Sequence, residues 1–293
     1  MCRSLTVSEL PTSQDTRIAL DRVRSSCQGA AILTALACRE PIEQPIMLLA
    51  AHPDDETIGA GIAMGLLRDL IIVHVTDGVP RRSREVSAAD YRERARYAAI
   101  RRAELHAALE TGGVRARCAT LGIADQEASL HMALIANALL AYVRRMRPAA
   151  LMLHAYEGGH PDHDTVALSA HVAAALAEPV PALIEMTGYH ELAGRLVTDR
   201  FLPHPNPVMT LALDAAERAR KQRMFAAFPS QRHVLAGFGT SHERFREAPR
   251  YDFTAPPHPG PLHYERQDWG MTGSRWRRLA AAVLAGSRDH ARC

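Results

Sequence analysis

Two short stretches of this chain concentrate groups that can do chemistry: His52-Pro53-Asp54-Asp55-Glu56 and, much further on, His160-Pro161-Asp162-His163-Asp164. Each follows an apolar run, and a buried strand does not ordinarily end in such a cluster unless something cationic sits there. His52 and Asp55 are spaced so that one turn can aim an imidazole and a carboxylate at a single point, and His163 is placed to supply a third donor. Two histidines and a carboxylate with an open position form the donor set of a catalytic rather than a structural zinc, and Fe²⁺ or Co²⁺ fits the same set. Such a metal brings the pKa of a coordinated water down toward about 7, which makes hydrolysis near neutrality the chemistry to expect.

Each residue also has an ordinary reading. Asp55 is a favoured residue type for capping the helix that follows, and a lone histidine in a loop is more often hydrogen-bonded than a ligand. The combination argues for the metal: both clusters lie at strand ends, both read His-Pro-Asp and both lead into helices. A dinucleotide site at the same place, suggested by Gly59, Gly61 and Gly65, has the wrong glycine spacing. Asp54, Asp55 and Glu56 would also repel a pyrophosphate at the helix start. Those glycines are expected to serve close helix-to-sheet packing.

The elements that must position these loops follow from the hydrophobic pattern. Apolar runs at 46–51, 70–76, 149–154, 182–186 and 208–213 read as strands, with a short one at 117–121. Helical periodicity or charge patterning covers 56–68, 87–110, 130–147, 166–177 and 215–228, with a last short helix at 276–284. Asp77-Gly78 reads as a turn. The charge run Arg92, Glu93, Arg94, Arg96, Arg101, Arg102 and Glu104 reads as a solvated helix face. Strands that are continuous apolar runs, alternating with helices, predict an α/β fold, Rossmann-like, with a mostly parallel sheet covered on both faces. In such sheets ligands sit at the carboxyl ends of the strands, so both clusters are expected on the same edge. The chain divides into a helical extension at 1–44, a main domain at 45–230 and a segment at 231–293, rich in Pro, His and aromatics, that completes or covers the cleft.

Composition narrows the class. The 293 residues are 47% hydrophobic and 23% charged, with a net charge of +3 too small to argue for nucleic acid. The five cysteines, Cys2, Cys27, Cys38, Cys118 and Cys293, are widely spaced and form no C-x-x-C pair, which argues against a disulfide framework. The apolar stretch from Gly29 to Cys38 falls short of the roughly 20 residues a bilayer span needs. No secretory signal is visible at the N-terminus, and a cytoplasmic location is expected.

The two clusters together resemble the signature motifs of the LmbE/PIG-L family of zinc-dependent N-deacetylases, in order and in separation. The resemblance implies that His52, Asp55 and His163 are the zinc ligands and that Asp54 is the general base acting on the zinc-bound water. It further implies that His160 steadies the oxyanion and protonates the leaving amine, with Asp162 as its orienting carboxylate and a raised His160 pKa. Glu56 is the competing base candidate, but its charge suits the helix start. The implied activity is hydrolysis of an N-acetyl group from an amino sugar or sugar conjugate, a small-molecule partner. The alternatives are a metalloamidase or esterase on a non-sugar molecule, or a metal-dependent sugar-binding protein without turnover. Tyr156, Glu157, Asp77 and Gly78 are further candidates for the cleft, Gly158-Gly159 for a sharp turn, and Tyr189-His190 with 258–264 for a substrate lid.

Overall fold

The computed structural model describes residues 27–81 and 88–286. The elements in chain order are α1 (Cys27–Cys38), β1 (Ile46–Ala50), α2 (Asp55–Ala60), β2 (Leu70–Pro80), α3 (Ala88–Gly112), β3 (Ala116–Asp125), α4 (Met132–Met146) and β4 (Ala150–His154). They continue with α5 (Pro161–Ala175), β5 (Ala182–Met186), β6 (Tyr189–Leu192), β7 (Arg195–Thr198), β8 (Met209–Ala212), α6 (Ala215–Ala226), β9 (His242–Glu247) and α7 (Gly273–Leu284). Of the expected N-terminal helices only α1 falls within the described residues, where Ile32 and Leu36 join the core.

Among the described residues, seven strands form one sheet in the order β3-β2-β1-β4-β5-β9-β8, and β6 and β7 form a separate hairpin. The five strands from β3 to β5 are parallel, while β9 runs antiparallel to both β5 and β8. The period of two along β1 divides the interior. Ile46, Leu48 and Ala50 face a core shared with α1, α2, α3 and α6, and Met47, Leu49 and Ala51 face one shared with α4 and α5. The Rossmann-like reading is thus the observed architecture. No described helix is long and apolar enough to cross a membrane.

Three differences from the sequence reading have physical causes. β2 runs through Asp77-Gly78 to Pro80, with register shifts after His74 and Thr76 and Gly78 at φ 69°, so the turn signal marks a bulge and not an end. β9, His-Glu-Arg-Phe-Arg-Glu, carries too many charges to read as a buried strand. It is tolerated because Glu243 pairs with Lys221 at 2.8 Å and Arg246 with Glu185 at 2.7 Å, all four side chains buried. Glu243 also accepts the backbone N–H groups of Ile62 and Ala63, at 2.8 and 2.9 Å, which fastens β9 to the chain leaving α2. Finally, α5 begins at Pro161, inside the second cluster. His160 is its N-cap and Pro161 its first residue, a favoured place for proline.

The C-terminal segment is built into the fold through a third apolar cluster. Trp276 of α7 is fully buried there with Phe253, Leu262 and Tyr264, against Ala167, Leu168 and Val172 of α5. Its indole N–H reaches Pro161 O at 3.2 Å and Thr165 Oγ1 at 3.1 Å, so α7 is bolted to the start of the helix that carries the second cluster.

Candidate metal centre

β1 and β4 are neighbours in the sheet, so the loop after β1 and the loop after β4 emerge side by side. Donor atoms of His52, Asp55 and His163 lie within 4.8 Å of one another. Asp55 stands between the rings, with Oδ2 3.2 Å from His52 Nδ1 and Oδ1 3.2 Å from His163 Nε2. Asp55 does not cap α2: it is the first helical residue, and its carboxylate receives the His52 backbone N–H at 2.7 Å. His154, at the end of β4, stacks on His163 with ring centroids 3.9 Å apart and accepts the Ala51 N–H at 3.1 Å. Burial, reinforced by His163, pushes His154 down to about 4, so it stays a neutral support.

Asp54 occupies the N-cap position without making a capping bond, at φ 150°, a conformation side chains rarely adopt. That backbone twist leaves its carboxylate beside Arg101, whose guanidinium donates to Asp54 Oδ2 at 3.1 Å, Pro53 O at 2.7 Å and Gly78 O at 3.1 Å. Burial lifts Asp54 to about 8, against the opposing pull of Arg101 and with the help of neighbouring Asp55. A carboxyl that exchanges its proton near neutrality suits a general base. Glu56 is fully buried and committed elsewhere: it receives the Asp54 N–H at 3.1 Å and lies 2.9 Å from His74 Nε2.

At the second loop, His160 Nδ1 accepts the backbone N–H of Asp162 at 3.1 Å, which leaves Nε2 to carry the ring proton. The Asp162 carboxylate lies 3.9 Å from His160 Nδ1. It is occupied instead by the Gln126 and Ala128 N–H groups, at 2.7 and 3.1 Å, and lies 3.4 Å from His52 Nε2. The orienting contact expected of the Asp162 side chain is therefore made by its backbone. Burial and the neighbouring His52 hold His160 well below its usual range, opposite to the raised value expected from the sequence.

Two functional-site residues were not anticipated. Asp125, at the end of β3, lies 3.0 Å from His52 Nε2 and 3.7 Å from His160 Nε2. Despite burial, His52 holds Asp125 well below the usual carboxylate range. Its signal was positional: an acid at the carboxyl end of a parallel strand, obscured because β3 is mostly solvent-facing, carries a glycine in its middle and read as a much shorter strand. Arg101 is only 3% exposed, which corrects the reading of the whole charge run as a solvated face; Glu104 is buried too, accepting from the Ser230 N–H at 2.9 Å. Arg101 falls on the stripe Ala98, Leu105, Ala108 that faces the sheet, and this register was the available clue.

The weaker candidates separate clearly. The Tyr156 hydroxyl donates to Ala255 O at 2.8 Å and its ring stacks on Trp276, so it belongs to the third core. Glu157 is buried beside His190 Nδ1 at 3.1 Å. Asp77 pairs with Arg94 at 2.6 Å, at the same sheet edge. Gly158 makes its turn at φ 72°, and Gly159 is needed because a Cβ there would collide with the Tyr189 carbonyl oxygen. Of the lid stretches, Tyr189 and His263 reach the site, while Leu262 and Tyr264 are core.

The donor set suits a cation on evidence internal to the protein. Against the cost of burial, Asp125 and Asp55 hold the His52 imidazole well above its usual pKa. Burial works against the Asp55 carboxylate as well, yet His163, His154 and His52 keep it well below its usual pKa. The cluster thus draws positive charge to the point where three donors converge, the charge a divalent metal supplies.

The sequence model of the GlcNAc-PI de-N-acetylase (PIG-L) family matches residues 47–175, which span β1 to α5 and both clusters. This stretch is a PIG-L family domain. No curated protein matches the sequence significantly. Among solved structures, the chain is similar to the A40926 pseudoaglycone deacetylase Dbv21, at 18% identity and TM-score 0.51 over 72% of this chain and 99% of that one. A deacetylase–teicoplanin complex from the biosynthesis pathway of teicoplanin is similar at 16% identity and TM-score 0.51, over 71% and 99% of the two chains. At such identities the likeness is one of fold, and the chain carries β5 to β9, α6 and α7 after the matched stretch.

Proposed function

We propose that this PIG-L domain is a metal-dependent N-deacetylase that hydrolyses the N-acetyl group of an amino sugar or sugar conjugate. The observation that carries the reading is the convergence of His52, Asp55 and His163 beside the buried Asp54 carboxyl. His52, Asp55 and His163 would hold the metal, with Zn²⁺ as the first candidate and Fe²⁺ or Co²⁺ accommodated by the same donors. When bound, the metal supplies Lewis-acid polarisation of a carbonyl and acidification of water.

The protein's own groups do the rest. Asp54 accepts a proton at its carboxylate, and Arg101 keeps that carboxylate oriented through the Oδ2 contact. His160, with Nδ1 held as an acceptor, presents its Nε2 proton to developing charge on the substrate. Asp125, beside both His52 Nε2 and His160 Nε2, fixes the two rings relative to each other. Asp162 holds the loop of Gln126 and Ala128 against this group. The family description names an N-acetylglucosaminyl conjugate, which is why a sugar is placed first among substrates.

The test couples metal analysis of the purified protein to amine release from a panel of N-acetylated sugars. Stoichiometric metal, amine release, loss of release on chelation and recovery on adding Zn²⁺ are expected. Absence of both metal and release across the panel would refute the proposal.

A further inference from the structure

The rings around the candidate metal centre close into a circuit. His160 packs against Trp269 with centroids 4.5 Å apart, Trp269 against His263 at 6.2 Å, and His263 against Tyr189 at 5.6 Å. Tyr189 then meets His163 at 5.4 Å, and His163 meets His160 at 5.3 Å. Two members of the circuit are the candidate acid and a candidate ligand. The other three, Trp269, His263 and Tyr189, lie outside the matched family stretch and are half-buried beside the site. This wall is fastened in place: Arg266 pairs with Glu191 at 2.6 Å, and the His263 N–H reaches Gly158 O at 2.9 Å.

We infer that Trp269, flanked by His263 and Tyr189, is the stacking face for the ring that bears the scissile nitrogen, making the substrate a cyclic amine derivative such as a pyranose with an apolar C–H face. The inference rests on the deacetylase reading above, because it takes His160 as the group on the leaving-amine side. Trp269 covers His160, so a substrate whose nitrogen approaches His160 must lay its amine portion along the indole. Indole binds the apolar face of a sugar, and its quadrupole also attracts the ammonium that forms on release. A preformed wall does this without first having to order a loop.

Two measurements test the assignment on the full-length, metal-loaded protein. The first compares wild type, Trp269→Ala and Trp269→Phe on methyl N-acetyl-β-glucosaminide and on acyclic 2-acetamidopropane-1,3-diol. Trp269→Ala should lower the ring-over-acyclic preference in kcat/KM about three- to tenfold, mainly through KM of the ring substrate, and Trp269→Phe should restore most of it. The second uses tryptophan fluorescence. The chain has 2 tryptophans, and Trp276 is fully buried in the third core, so a change on adding the glucosaminide reports Trp269. The change should saturate, disappear in Trp269→Phe and be absent with the acyclic compound. An unaltered preference in Trp269→Ala together with a silent titration would overturn the stacking assignment and leave the deacetylase reading standing. If the wild type releases amine from neither compound, the titration decides the stacking assignment by itself, and the deacetylase reading falls only when the whole sugar panel and the metal analysis fail as well.

Discussion

At the first His-Pro-Asp loop, the residue after proline stands at φ 150° and leads into a helix of 6 residues with no side-chain cap. At the second, the residue after proline is an ordinary helical residue, and His160 caps a helix of 15 residues. The same three letters therefore serve opposite ends. In the first loop His52 is a candidate ligand and the strained Asp54 is presented to the cleft against a buried arginine. In the second the leading histidine is structurally anchored, and the candidate ligand is His163, in the first turn of the helix. The acids differ too. Histidines around Asp55 keep it ionised despite burial, whereas burial keeps Asp164 protonated to about 8. The same motif is thus strained and charge-balanced in one loop and regular in the other.

Substitutions can break or sharpen that contrast. The largest effect is expected from Asp54→Asn, which should lower turnover by about 10²–10⁴-fold while metal content stays unchanged; full activity in the variant would remove Asp54 from the mechanism. Next is Arg101→Met, which leaves the Asp54 carboxylate buried without its partner. Both side chains are nearly inaccessible, so a loss of about 3–5 kcal/mol of stability is expected by denaturant unfolding above about pH 8, where the Asp54 carboxyl is ionised. A loss within experimental error at that pH would mean that the arginine does not balance the Asp54 charge.

Gly159→Ala should cost about 1–3 kcal/mol, because the added Cβ meets the Tyr189 carbonyl and not a yielding side chain. Unchanged thermal unfolding would show that the second loop has room to move.

The pH dependence of Asp164 has a definite sign. Burial raises it to about 8 over the opposing amides of Gly158 and Glu157, while an unfolded aspartate titrates near about 3.9. The folded protein therefore keeps a proton that the unfolded chain loses, so this contribution to stability is complete at low pH and drains away between about pH 4 and 8. Asp164→Asn should flatten the slope by at most about 1.4 kcal/mol per pH unit, measured by unfolding at several pH values; identical slopes would count against the raised pKa.

The smallest stability effect belongs to His160→Asn. Asparagine is a good N-cap, so stability should hold within about 0.5 kcal/mol while activity drops steeply. A large stability loss would mean that the ring, and not the cap, holds the loop.

Much of this protein could be read from residue order. The continuous apolar runs of β1, β4 and β5 have no other place than the middle of a parallel sheet, because both faces of each strand must be covered. That topology put both acid-and-histidine clusters on one edge, and residue type and spacing picked out His52, Asp55 and His163. What residue order could not supply was partnership at a distance. Arg101 looked like one charge in a solvated run, since only the packing of α3 on the sheet turns it toward Asp54. Asp125 acquired meaning when β3 proved long enough to bring it to His52. β9 is too charged to be recognised without the ions across from it, Lys221 and Glu185. Trp269 reaches His160 from the segment just before α7, far along the chain from the second loop. Local pattern determines which backbone element forms, since hydrophobic burial and propensity act over a few residues. Which charge is neutralised and which ring walls the cleft are decided by groups remote in sequence, so they belong to the tertiary structure.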